Sequence, residues 1–432
     1  SELLFNAYKI KLLVKFQSLS LAYIEMFSQS QKTNPFFALA LISICLIGAM
    51  STWFSGTVIL LELTLRSELG ASQQVWLTNS VQVGFVVGAL LIAFFNIADT
   101  TPLPILIAFS CALASLSNLL LIWIETPYGI IALRFCTGVA LSGVYPPVVK
   151  LIATWFEKGR GIAMGIIIGA LTTGCSMPHL FRALTLDTNW LLVIWSSSLA
   201  TFISSIIFFL FISEGPFFFA RARFDPRQIM LIIRNKPLTL VNIGYAGHMW
   251  ELYAMWAWIL VFAQFSQQDF VDFPFGTPEY FCFFVVAVGA IGCIAGGILS
   301  DIFGRCYTTA TLMIISGTCA FLIGFLVDGP PVIFAVIALL WGMTIIADSG
   351  QFSAAVTELS DPRLVGTALT AQMALGFGIT VITIWLVPIF AEWLGSFQWA
   401  FLFLVPGPII GAIAMLLLRK RQEAYKLALG KR

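Results

Sequence analysis

Charge is what this sequence lacks. Of its 432 residues only 23 are Lys or Arg and 21 are Asp or Glu, while 59% are hydrophobic. A soluble domain carries about a quarter charged residues, because its surface needs polar cover. The scarcity excludes a soluble fold and overrides the roughly three domains that length alone would suggest. A formal net charge of +2 leaves no basic field for nucleic acid. Histidine is nearly absent, and none of the eight cysteines forms a C-x-x-C, so neither a metal site nor a disulfide framework is expected. Cys45, Cys111, Cys136, Cys175, Cys282, Cys293 and Cys319 sit inside apolar stretches and Cys306 at the edge of one. They read as small buried apolar side chains. The first 34 residues lack an uncharged apolar core ending in a small-residue cleavage site, so no cleavable signal peptide is expected. No nucleophile–base pair, phosphate loop or metal-ligand cluster stands out, and neither an enzyme nor a cofactor is expected.

What is present is a series of apolar runs, many longer than the ~18 residues that cross a bilayer as a helix. Pro, Gly and charged clusters divide them into twelve predicted helices, near 36–62, 75–97, 103–124, 128–150, 161–182, 190–213, 238–264, 279–300, 307–327, 331–355, 365–390 and 396–418. With both termini in the cytoplasm, 20 of the 23 basic residues fall on that side; only Arg66, Arg134 and Arg182 remain. This is the positive-inside pattern, and an odd helix count would destroy it. The reading is an integral membrane protein, placed in a bacterial cytoplasmic (inner) membrane. It comprises a cytoplasmic N-terminal arm (1–35), a six-helix bundle (36–213), a polar cytoplasmic linker (214–237), a second six-helix bundle (238–418) and a basic tail (419–432). Within the arm, residues 8–27 place Leu12, Phe16, Leu19, Tyr23 and Phe27 on one stripe and Lys11, Lys15, Ser18 and Glu25 elsewhere. That predicts an amphipathic helix lying on the inner leaflet.

The segment Gly296–Arg305 is a short charged hinge between two apolar runs, and a worn copy, Phe95-Asn-Ile-Ala-Asp99, lies 202 residues earlier counted Asp to Asp. A second landmark repeats at nearly the same offset: Gly161, opening helix 5 after Trp155-Phe-Glu-Lys-Gly-Arg160, and Gly366, after Asp361-Pro-Arg, are 205 residues apart. Two landmarks at one offset mark an internal duplication. In Gly297-x-x-x-Asp301-x-x-Gly304-Arg305, Gly304 permits a tight turn, Asp301 can accept hydrogen bonds and Arg305 can reach a carboxylate or a helix C-terminus. Such a latch can hold helix ends together in one state and release them in another.

This pattern resembles the signature loop of the major facilitator superfamily, found between the second and third helices of each half. Arg134-Phe-Cys-Thr-Gly138 resembles the family's fourth-helix Arg-x-x-x-Gly. The resemblance spans nearly the whole chain after the arm. It implies an all-α membrane fold of two pseudo-symmetric six-helix bundles with a central cavity and alternating access. The chain also departs from the pattern. The turn at Asp99 has lost its leading Gly and every basic residue, so an asymmetric latch is expected, strong at Asp301/Arg305 and weak at Asp99. Helix 5 lacks the Gly-Pro-x-x-Gly-Gly element resembling antiporters, and helix 6 lacks a sugar-porter Pro-Glu-Ser end.

Ionisable groups inside membrane helices are costly, which makes Arg134, His248, Glu251 and Asp348 the functional candidates. His248, Glu251, Met255, Trp258 and Phe262 share one helical face, flanked by Tyr253 and Trp256. His248 and Glu251, one turn apart, can share a proton, and the aromatics can stack on an organic solute. Alternatively His248 and Glu251 bond each other or a neighbouring helix. Arg134 needs an anion: Glu251, Asp348 or a substrate carboxylate or phosphate; by resemblance it serves proton coupling or binding. Asp348 could take a proton or cation, or gate the cytoplasmic side with Lys150. Trp53, Ser51, Thr52 and Ser55 of helix 1 and Asn79 and Gln82 of helix 2 could hydrogen-bond a solute, although membrane hydroxyls more often bond their own backbone. The expected function is proton-coupled symport of a small organic solute, anionic or zwitterionic, by a monomer in the bilayer. A proton-driven efflux pump and a non-transporting sensor are the alternatives.

Overall fold

The structure, a computed structural model, describes residues 34–157, 160–185, 189–217, 226–270, 272–361 and 364–431. The amphipathic helix expected at 8–27 lies outside them. All regular structure among the described residues is helical. Ten helices are long and apolar enough to cross a membrane: α2 (Ala71–Phe94), α3 (Leu103–Ile122), α4 (Pro127–Ala153), α5 (Gly161–Leu184), α6 (Trp190–Phe211), α8 (Pro278–Phe303), α9 (Arg305–Leu326), α10 (Pro331–Leu359), α11 (Val365–Trp393) and α12 (Phe397–Arg419). The remaining two open the halves. Helix α7 (Lys236–Ser266) is 31 residues long, but Asn242, His248, Glu251 and Gln264 dilute its apolar character. Helix α1 is broken into Pro35–Met50, Ser55–Val58 and Leu60–Ser67. The fold is therefore the expected twelve-helix one, in two six-helix bundles, with its first helix in pieces.

Two further spans are interrupted. Helix α4 runs Pro127–Ser142 and resumes at Tyr145–Ala153, where Pro146 and Pro147 can only begin a new helix. Helix α10 runs Pro331–Thr344 and resumes at Ser349–Leu359, leaving Ile345–Asp348 between them. The breaks occupy equivalent places in the two halves.

Glycines set the closest helix approaches. Gly84 of α2 and Gly138 of α4 each lie against the other helix's backbone carbonyl, at Phe135 and Val81. Gly292 of α8 and Gly342 of α10 repeat the arrangement against Met343 and Val285. A Cβ at any of the four would collide with backbone, so packing without side chains is what lets these helices touch. The Gly of the Arg-x-x-x-Gly pattern thus serves the α2–α4 contact. The halves meet along α2–α11 and α5–α8, where Gly165 faces Cys293 and Gly169 faces Ala290. Exposed apolar side chains such as Phe109, Trp123, Leu199, Ile291, Val332 and Ile413 cover the outside, as a lipid-facing surface requires.

Candidate functional site

Arg134 explains the break in α1. Its side chain is fully buried. Nη1 donates to the Thr52 carbonyl at 2.9 Å and reaches Ser55 Oγ at 3.4 Å and Asn118 Oδ1 at 3.3 Å. Nη2 donates to the Trp53 carbonyl, and Nε reaches the Leu77 carbonyl at 3.4 Å. Carbonyls at a helix end have no intrahelical partner; Thr52 and Trp53 lie in the gap between two helical pieces, and a guanidinium offers enough donors to serve both. Ser55 Oγ donates to Asn118 Oδ1 at 2.6 Å, and Asn118 passes the network on to Ser198 Oγ at 3.0 Å. The expected pairing of Arg134 with Glu251 or Asp348 is not formed: its acceptors among the described residues are backbone carbonyls and neutral side chains. The α1 hydroxyls bond backbone too: Ser51 to Gly48, Thr52 to Ala49 and Ser55 to Thr52.

Beside this pin the halves meet in an aromatic cluster. The Trp53 ring lies 5.0 Å from Phe85, 5.5 Å from Tyr253 and 6.0 Å from Phe377. Phe85 and Phe377 approach to 4.4 Å, Tyr253 and Trp256 to 5.4 Å, and Phe54 and Trp256 to 6.1 Å. Three rings come from each half, and all six are buried. Polar atoms here lack partners: Nε1 of Trp53 and Nε1 of Trp256; one turn before Phe85 on α2, both amide atoms of the buried Gln82 lack partners too. Buried polar groups are normally paired, so unmatched donors inside an aromatic cluster are what a solute site would carry. Trp258 lies apart from the cluster, donating to the Ile384 carbonyl at 2.9 Å, with its ring tilted 57° to that of Phe397 at 5.9 Å.

The polar face of α7 divides differently from its sequence reading. His248 Nδ1 lies 2.8 Å from Asp348 Oδ1, both side chains almost wholly buried. Its Nε2 has no partner, and Tyr245 and Phe352 flank the ring at 6.0 and 5.6 Å. Glu251 instead accepts from Ser316 Oγ at 2.8 Å and Trp341 Nε1 at 2.7 Å. The His248–Glu251 pairing is not formed, because the break in α10 brings Asp348 against α7. Nor does Asp348 meet Lys150, which sits at the far end of α4 and pairs with Asp99.

At that end, which carries most of the basic residues and is termed the basic end below, each half has an ion pair. Lys150 binds Asp99 and donates to the Ala98 carbonyl at 3.0 Å. In the second half Arg305 grips Glu358 with two hydrogen bonds, at 2.8 and 2.5 Å, and donates to Gln351 Oε1 at 2.7 Å. Asp99, whose own turn has no basic residue, takes its basic partner from the end of α4. Gly304, at φ 90°, makes the turn into α9. The Asp301 carboxylate and Gly297 both lie beside Gly161, at the start of α5, so this turn touches the other half. The tail closes over it: Lys431 Nζ donates to the Asp301 carbonyl at 2.5 Å, and the Ala428 N–H donates to Glu358 at 3.1 Å.

Sequence reading missed Phe54, Phe85 and Phe377, which look like any apolar residue in a membrane span. It also missed Asn118 and Glu358, where an Asn inside an apolar run and an acid at a helix end were usable signals.

The sequence model of the Major Facilitator Superfamily matches residues 39–383. The chain belongs to the major facilitator superfamily. It is accordingly an integral multi-pass membrane protein. It is 26% identical over 144 residues to the glucose-6-phosphate exchanger SLC37A2 of Mus musculus, a match covering 32% of this chain and only 28% of that relative's length. Among solved structures it is similar to a bacterial homolog of the human lysosomal transporter Spinster in an inward-facing, unoccupied conformation. That likeness has a TM-score of 0.62 at 14% identity and covers 90% of this chain and 96% of the other. At that identity it speaks for the fold alone.

Proposed function

We propose that the chain is a proton-coupled symporter for a small, ring-bearing organic solute that is neutral or cationic. The observation that supports this most is the aromatic cluster at the junction of the halves, with unpartnered N–H groups of Trp53 and Trp256 and the free amide of Gln82. Aromatic faces attract flat or cationic solutes, and the N–H groups can fix a ring substituent. The anionic solute expected from sequence rested on Arg134, and its guanidinium is engaged by α1. A sugar phosphate, as carried by the mouse exchanger, would need another cation.

The proton falls to His248 and Asp348. A buried imidazole–carboxylate pair can gain or lose a proton as its surroundings open and close, and the free Nε2 gives the proton a second exit. Glu251 is the reserve acceptor on the same helix. Import is favoured over exchange because α5 lacks the antiporter-like glycine–proline element. The working parts would be the bundles 36–213 and 238–418 and the linker 214–237. The protein would be a monomer in a bacterial inner membrane, with the basic end, both termini included, in the cytoplasm. A second reading, efflux of hydrophobic compounds, draws on the same apolar cluster.

A thermal-shift screen of purified protein against ring-bearing amines, neutral heterocycles and sugar phosphates tests the solute class, since ligands stabilise the state they bind. Stabilisation by a ring-bearing amine or heterocycle, lost in Trp53→Ala and Tyr253→Ala, is expected. Stabilisation by sugar phosphates alone would overturn the solute class. In proteoliposomes, uptake of the hit should need an inward proton gradient, and Asp348→Asn should abolish that dependence. Uptake by Asp348→Asn with the wild-type gradient response would remove the proton role.

A further inference from the structure

A cavity lies at the basic end, away from the aromatic cluster. It encloses about 370 Å³ between the start of α7 and the C-terminal tail. Arg234, Lys236, Arg421 and Lys426 line it, with Glu423 as its one acid. None of these four cations makes an ion pair among the described residues. Four unpaired cations around one cavity repel one another, so an anion in their midst lowers the energy of the whole wall. The floor adds to this: Asn235 caps α7 by accepting from the Leu238 N–H at 3.3 Å, and the N-terminus of a 31-residue helix favours negative charge.

The neighbouring segments say which anion. The short helix Ile229–Arg234 leads into the cavity and exposes Met230, Leu231 and Ile233, each more than half accessible. On the tail side Leu429 is fully exposed. A soluble phosphate has no use for exposed apolar side chains on the adjoining segments, whereas a phospholipid needs an apolar flank for its chains beside a cationic seat for its headgroup.

We infer that this cavity binds the phosphate headgroup of an anionic membrane lipid, clamped between the linker by Arg234 and Lys236 and the tail by Arg421 and Lys426. Bound there, the lipid ties the linker to the tail, and the tail is the segment that reaches Asp301 and Glu358. The site is independent of the transported solute and of the proton pair.

The test is native mass spectrometry of the full chain from micelles doped with equal amounts of phosphatidylglycerol and phosphatidylcholine. The wild type should retain phosphatidylglycerol selectively. The double variant Arg234→Gln/Arg421→Gln should weaken retention about 30-fold, and Glu423→Gln should strengthen it about 5-fold, taking the usual worth of one surface charge near anionic lipid. The gain in Glu423→Gln guards against a folding defect, which could only lower binding. Equal retention of the two lipids, or no gain in Glu423→Gln, overturns the proposal. So does displacement of phosphatidylglycerol by millimolar inorganic phosphate, which would make free phosphate the occupant.

Discussion

Helices α1 and α7 open the two halves of a duplicated fold, and each is tied to the third and fourth helices of its own half by a buried polar knot. In the first half the knot joins Thr52, Trp53 and Ser55 of α1, Asn118 of α3 and Arg134 of α4. In the second it joins Glu251 of α7, Ser316 of α9 and Trp341 of α10. The group at the centre changes from a base, Arg134, to an acid, Glu251. A guanidinium needs many acceptors, and α1 supplies them by breaking. A carboxyl oxygen can be served by donors, and side chains supply those while α7 stays continuous. The ion pairs at the basic end are inverted in the same way: the turn contributes the acid in Asp99–Lys150 and the base in Arg305–Glu358. The duplication thus preserved where polarity sits and not its sign. The consequence is mechanical. The first-half knot is built into the backbone and can only hold, whereas the second-half knot and its neighbour His248–Asp348 consist of side chains that can exchange a proton without refolding a helix.

The largest expected effect comes from cutting the first knot. Arg134→Ala strands the Thr52 and Trp53 carbonyls in the interior and should cost about 3–5 kcal/mol, seen as a large fall in melting temperature and in yield of folded protein. Arg134→Lys should recover only part, because an ammonium cannot reach three carbonyls. A well-folded Arg134→Ala protein whose sole defect is weaker binding of an anionic solute would break the comparison and return Arg134 to the substrate. Next in size is the second knot. Glu251→Ala leaves Ser316 and Trp341 without an acceptor and should cost about 2–3 kcal/mol. Glu251→Gln keeps an oxygen for both donors and should stay within about 1 kcal/mol of wild type. The amide cannot carry a proton, so comparing the stability and the proton dependence of uptake in the two variants separates holding from coupling.

The sequence made the architecture legible because charges and prolines punctuate apolar runs, and because the turns at Asp99 and Asp301 repeat at one offset. It also marked the right costly residues, since an ionisable group in a membrane span stands out. It could not show their partners. His248 and Glu251 are one turn apart, which suggests a pair, yet neighbours on one helix face often point to different helices. Asp348 reaches His248 only because α10 breaks at Ile345–Asp348, and no proline announces that break. The break in α1 is likewise hidden in Ser-Thr-Trp-Phe, a string that could continue a helix. Without it Arg134 seemed to require an anion, and the solute was read as anionic on that ground.

A smaller effect sharpens the contrast within the second half. His248→Gln and Asp348→Asn each remove one partner of a buried pair, and a double-mutant cycle should give a coupling energy of about 1–3 kcal/mol, measured by urea or thermal unfolding in detergent. The same cycle between His248 and Glu251 should give a much smaller value, since no direct bond joins them. Equal couplings would restore the sequence reading of a His248–Glu251 relay.

The smallest stability change is expected at the basic end, where the pairs are partly open to water: the side chains of Asp99 and Lys150 are 16% and 21% exposed, those of Arg305 and Glu358 13% and 27%. Water and salt screen such pairs, so Asp99→Asn and Glu358→Gln should each cost no more than about 1 kcal/mol. Their effect belongs in the kinetics, because a latch that is worth little when closed still sets how often the end opens. Swapping the charges, Asp99→Lys with Lys150→Asp, gives the first half the polarity of the second and should restore the uptake rate that either single change lowers. If polarity is free while position is fixed, as the two halves suggest, the swapped protein transports; if it folds and does not, the sign at Asp99 has a task of its own that the second half does not share.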